Sequence, residues 1–135
     1  MRRALVLAAV IAIVAAGCGG RNTSAYTAGP TARCLEKKGF TKVTTNPNKV
    51  GFIAAFAAHG GLFGLPPGGG NTLTIAFAGS PASATATKQA FTRHAPARLR
   101  SHISDVMESQ RNAVLVWTIT PSQDLLTAAL GCLTP

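Results

Sequence analysis

Three cysteines, three histidines and four acids are the side chains of this sequence that can do covalent, metal or proton chemistry. Their spacing argues against most of it. His94 and His102 stand eight residues apart across Pro96, and a zinc site would need a third ligand that only Asp105 or Glu108 is near enough to supply. Arg93, Arg98 and Arg100 surround the pair and repel a cation, so both histidines read as solvated loop residues and no metal or cofactor is expected. Ser80, Ser101 and Ser104 lack the Gly-x-Ser-x-Gly setting of an elbow nucleophile. Asp105 and Glu108, three apart on an expected strand, face opposite ways and make a poor acid/base pair. No catalytic residue is assigned; an enzyme built on His94 or His102 is the alternative.

The glycines and prolines of 60–70 lack the Gly-Lys-Ser/Thr ending of a phosphate loop, and the prolines remove backbone donors that an anion would use. That stretch reads as a flexible arm. Its apolar residues Leu62, Phe63 and Leu65, with Phe52 and Phe56, are expected to pack over the domain's own sheet rather than stay open. Arg93, Arg98, Arg100 and Arg111 form the basic feature with a plausible task, because arginine forks grip carboxylate or phosphate in pairs of hydrogen bonds. They are assigned as a candidate contact for an anion or an acidic partner. Aromatic residues interleaved with the basic ones, as single-strand nucleic-acid binding requires, are missing.

The N-terminus carries the clearest signal. Arg2 and Arg3 precede an unbroken apolar stretch over 4–16, then Gly17, Cys18, Gly19 and Gly20. At 1.5 Å per residue this stretch reaches only about 20 Å, short of a bilayer core of roughly 30 Å. It reads as a removable export signal. Ala15-Ala16-Gly17-Cys18 resembles the processing motif of bacterial lipoproteins, although alanine stands at 15 where that class most often has leucine. The resemblance covers the first 20 residues and implies diacylglycerol on the Cys18 sulfur, cleavage before it, and a chain held by lipid on the outer side of a bacterial membrane. Simple cleavage after Ala16 is the other reading.

Acylation of Cys18 leaves Cys34 and Cys132 as the remaining cysteines, and an oxidising compartment favours their disulfide. A loop of about a hundred residues gives it roughly 4 to 5 kcal/mol in the chain-entropy model. Two free buried thiols are the competing state. Without Arg2 and Arg3 the mature chain has 11 Lys and Arg against four acids, a formal +7. Anionic lipid headgroups, acidic envelope polymers or an acidic protein are the partners such a surface attracts; nucleic acid belongs to another compartment.

The elements that must position these groups follow from local signals. Residues 18–29 read as a flexible tether, with one domain over 30–135. Pro30 opens a helix that Lys37, Lys38 and Gly39 stop; a short strand runs from Phe40 to the Asn46-Pro47-Asn48 turn. A helical turn near Val50, Phe52, Ile53 and Phe56 leads into the arm. Leu73, Ile75 and Phe77 mark a central strand over 71–78. Ser80 and Pro81 cap a helix that ends at His94 before Pro96. Residues 101–108 and 112–119 read as a hairpin around Ser109, Gln110 and Arg111, with Trp117 in the core. Thr120 and Gln123 have capping-box spacing for a last helix. The order predicts an α+β fold: a small two-layer sandwich of a mainly antiparallel sheet with helices on one face. From residue 71 the chain runs βαββα, and the strand at Phe40 is placed to fill the missing edge of a ferredoxin-like sheet by permutation. Function is then that of a lipid-anchored binding or interaction module, with a purely structural envelope protein as a further alternative.

Overall fold

The computed structural model describes residues 24–135. The expected export signal, Cys18 and the first part of the expected tether lie outside the described residues. The fold is α+β: five strands form one sheet in the order β1-β2-β3-β5-β4, each neighbouring pair antiparallel. Its elements are α1 (Ala28–Lys37), β1 (Thr41–Thr44), α2 (Phe52–Ala55), β2 (Gly61–Leu65), β3 (Leu73–Phe77), α3 (Pro81–His94), α4 (Ala97–Arg100), a 3-10 turn (Ile103–Val106), β4 (Met107–Gln110), β5 (Ala113–Trp117) and α5 (Gln123–Gly131). None of the described helices is long and apolar enough to cross a membrane.

Alternation along the central strands decides the layering. Leu73, Ile75 and Phe77 face one way with Leu115 and Trp117, under Leu35 of α1 and Ala129 and Leu133 near the end of the chain. Ala76 and Ala78 face the other way with Val114, under Ala54 of α2 and Ala84 and Phe91 of α3. Helices therefore cover both faces, giving three layers where the sequence pointed to two with helices on one face. A strand buried on both sides has no polar face, which the unbroken run Ala113-Val114-Leu115-Val116 of β5 already displays. The order β2-β3-β5-β4 has the strand sequence of a permuted ferredoxin-like sheet. Its missing edge, however, is filled by β2 and not by the strand after Phe40, which extends the sheet as β1. The helices on opposite faces depart from that arrangement.

Half of the expected glycine-rich arm is thus sheet. Gly61 pairs with Ala76 and Gly64 with Leu73; only the turn at 66–70 remains irregular, with Gly68, Gly69 and Gly70 all at positive φ. Glycine at 61 answers a close approach, because a Cβ there would stand 2.6 Å from the Ala54 carbonyl oxygen. Gly61→Ala is expected to destabilise the domain by about 2 kcal/mol through this overpacking, read as a lower urea midpoint at unchanged slope.

Helix α1 ends as its residues indicate. Gly39, at φ +89°, follows the C-cap Lys38; the Gly39 N–H donates to the Glu36 carbonyl and the Phe40 N–H to the Leu35 carbonyl. Leu35 and Phe40 are both buried, completing a Schellman stop with its apolar contact. Ser80 caps α3, its Oγ accepting from the Ser83 N–H. For α5 the N-cap is Ser122, accepting from the Leu125 N–H, rather than Thr120.

Two boundaries move. Tether residues 24–29 are not free up to Pro30: Tyr26 is buried, the Thr27 N–H donates to the Thr134 carbonyl, and α1 starts at Ala28. Residues 101–108 are not one strand, since a 3-10 turn precedes β4. Spacing decides this, because Ile103 and Val106, three apart, share one side of a three-per-turn helix and opposite sides of a strand. Cys34 and Cys132 form a disulfide across 98 positions, with Cα atoms 5.4 Å apart, tying α1 to the C-cap of α5.

Candidate functional site

Pro96 ends α3 and turns the chain over the lower end of the sheet. Its missing N–H and fixed φ forbid another helical residue, and the Ala95 N–H makes the last bond, to the Phe91 carbonyl. The chain returns through α4 and the 3-10 turn to β4. Beneath this return lies an open cleft of about 310 Å³. Phe91, Leu99, Ile103, Val106 and Trp117 line it, with Ile53 of α2 at one side and His94 and His102 among the few polar groups. A second hollow of about 400 Å³ shares Ile53, Phe91 and His94 and reaches Phe52. The two hollows adjoin at these shared residues, and each is within the size range of small-ligand sites.

Two observations mark these hollows. The indole N–H of Trp117 is the one buried side-chain polar atom without a hydrogen-bond partner among the described residues, although Trp117 is only 3 % exposed. Buried donors are ordinarily paired, at a penalty of about 1–3 kcal/mol when they are not. Large apolar side chains also stay open around them: Phe52 is 75 % exposed, Phe56 78 % and Leu99 44 %. The rings of Phe52 and Phe56 lie 5.0 Å apart at 58°. Of the apolar residues of 52–65, Leu62 packs as the sequence suggested, whereas Phe52 and Phe56 do not.

Asn71 shapes the floor. Its Oδ1 accepts from the backbone N–H groups of Thr72, Thr118 and Ile119, and its Nδ2 donates to the Ile119 carbonyl. One amide thus holds the chain where it leaves β5, beside Trp117 and Thr118 of the cleft. Asn112 does similar work at the opposite end, accepting from the Tyr26 N–H and donating to the carbonyls of Tyr26 and Ala78. Sequence reading passed over both, although an asparagine beside a strand end is the residue suited to pair loose backbone groups.

The four arginines do not form one patch. Arg93, Arg98 and Arg100 gather where α3 gives way to α4, while Arg111 sits in the β4–β5 turn at the other end of those strands. Arg111 stacks on the Tyr26 ring, 4.4 Å from its centre, and donates to the Ser24 carbonyl. Arg100 donates through Nε to the Ala95 carbonyl at 3.2 Å and through Nη2 to the Arg93 carbonyl at 3.3 Å. It caps α3 while bringing a positive charge to the cleft's edge.

The histidines are both exposed, as the sequence suggested, and both line the cleft. His102 Nδ1 lies 3.6 Å from Asp105 Oδ2. No set of three His, Cys, Asp or Glu side chains able to hold a metal occurs among the described residues. Of the serines considered as nucleophiles, Ser80 is a helix cap, and neither Ser101 nor Ser104 lines the cleft. Glu108 Oε1 accepts from the neighbouring Ser109 N–H, a local contact.

No protein-family model, curated protein or solved structure matches the chain.

Proposed function

We propose that this chain is a binding module of the bacterial envelope, exported, lipid-anchored at Cys18, and closed by the Cys34–Cys132 disulfide. The observation that carries the binding role is the open apolar cleft lined by Phe91, Leu99, Ile103, Val106 and Trp117. A disulfide between chain positions so far apart belongs to an oxidising compartment, and the N-terminal sequence is of the kind that delivers a chain there. The mature charge of +7 draws the domain toward anionic surfaces. Catalysis by His94 and His102 is the second reading, favoured by their sharing one cleft. Against it, no serine, cysteine or carboxylate side chain lines that cleft beside them among the described residues.

Intact mass of the protein extracted from its native membrane tests the anchor. The expected result is a chain starting at Cys18 with a diacylglyceryl increment, gaining two protons on reduction. An unmodified chain starting elsewhere overturns the lipid anchor, and an unchanged mass on reduction overturns the disulfide.

A further inference from the structure

We propose that the cleft takes a single-chain anionic amphiphile of the fatty-acid type, its alkyl chain along Ile53, Phe91, Leu99 and Ile103 and its carboxylate at the α3–α4 end. This rests on the binding-module reading and names its ligand. The walls suit a flexible apolar chain and little else, being almost wholly hydrocarbon. A second hollow shares Ile53, Phe91 and His94 with the cleft, so the apolar lining extends toward α2.

Charge selects the head. The stretch 91–106 holds Arg93, Arg98 and Arg100 against Asp105 alone, with His94 and His102 added. Asp105 lies beside His102, and that contact reduces its pull on the rest. The Arg100 guanidinium sits on the carbonyls of Arg93 and Ala95, and Ala95 is itself a wall residue. Arg98 stands next to Leu99 on α4, exposed. A carboxylate is the head that arginine forks match in geometry as well as in charge, whereas an ammonium head meets repulsion here. Exposed Phe52 and Phe56 supply further apolar surface for the part of the chain beyond the cleft.

The chain's single tryptophan is Trp117 in the cleft, which makes its fluorescence a local reporter. The experiment titrates the oxidised chain from residue 18 onward with ω-bromoundecanoate, a carboxylate whose terminal bromine quenches indole at short range. Undecanoate and undecylamine serve as competitors, and ω-bromoundecanol as the neutral analogue. The expected result is saturable one-to-one quenching, at least ten-fold better competition by undecanoate than by undecylamine, and at least ten-fold weaker binding in Arg98→Glu. Leu99→Asp, at a half-exposed wall position, is expected to abolish the quenching while retaining the native circular dichroism.

Equal competition by amine and carboxylate overturns the anionic head. Undiminished quenching in Leu99→Asp overturns the placement in this cleft, and Arg98→Glu provides the independent check should the first variant lose its fold. Quenching by the alcohol without quenching by the carboxylate overturns this ligand and leaves the binding module standing; no saturable quenching by either overturns both.

Discussion

Reduction of the Cys34–Cys132 disulfide is expected to remove about 4 kcal/mol of stability from the domain. The bond spans 98 positions, and a cross-link closing so long a loop removes the most conformational freedom from the unfolded chain. The folded side adds to this effect. Cys132 is fully buried in the same cluster as Leu35, Ala129 and Trp117, so the bond joins α1 and α5 within the core. Against the marginal stability of a domain this size, such a loss is a large share of the total. Urea unfolding with and without reductant reads it, and Cys34→Ala should match the reduced protein. A loss below about 1 kcal/mol would show that the sheet and its flanking helices hold the termini without the cross-link.

Asn112→Ala is expected to cost about 3 kcal/mol, the second largest effect. The side chain is 1 % exposed and makes three hydrogen bonds, of 2.8, 3.0 and 2.8 Å, to the backbone at Tyr26 and Ala78. Truncation strands one donor and two acceptors, and each buried group left unpaired costs about 1–3 kcal/mol, offset where water enters. The loss should be local as well as global: amide exchange at Tyr26 is expected to accelerate well beyond what the fall in overall stability explains. Unchanged exchange at Tyr26 would mean that the Thr27 to Thr134 hydrogen bond and the Arg111 stacking on Tyr26 fix this segment unaided.

Elements that signal locally were legible in the sequence. The stop of α1 at Gly39, the cap of α3 at Ser80 and its end before Pro96, and the strand through Leu73, Ile75 and Phe77 all rest on interactions within a few residues. Strand β2 was hidden because Gly61 and Gly64 are poor strand formers alone; at Gly61 the backbone of Ala54 leaves no room for a larger side chain. The 3-10 turn was read as strand because Ile103 and Met107 share a strand face, while the three-residue spacing of Ile103 and Val106 that marks the turn is a single interval. Chain at 24–29 looked like tether because its partners, Asn112 and Thr134, lie far away in sequence.

For the candidate site, the sequence supplied its residue types without their grouping. It named His94, His102, Arg93, Arg98 and Arg100 as the polar groups around Pro96, but grouped Arg111 with those arginines. Strand order alone sends Arg111 to the far end, since the β4–β5 turn lies opposite the pairing of Met107 with Val116.

By itself the sequence determined the cysteines available for pairing, the capped helices, the antiparallel α+β class and the surplus of positive charge, because each follows from residue identity or near-neighbour spacing. Only the tertiary structure decided that helices cover both faces of the sheet, that Trp117 is buried beside an open cleft with its donor unpaired, and that His94 and His102 line that same cleft. These are consequences of register and of a crossover between β3 and β4, which bring together groups that no local pattern links.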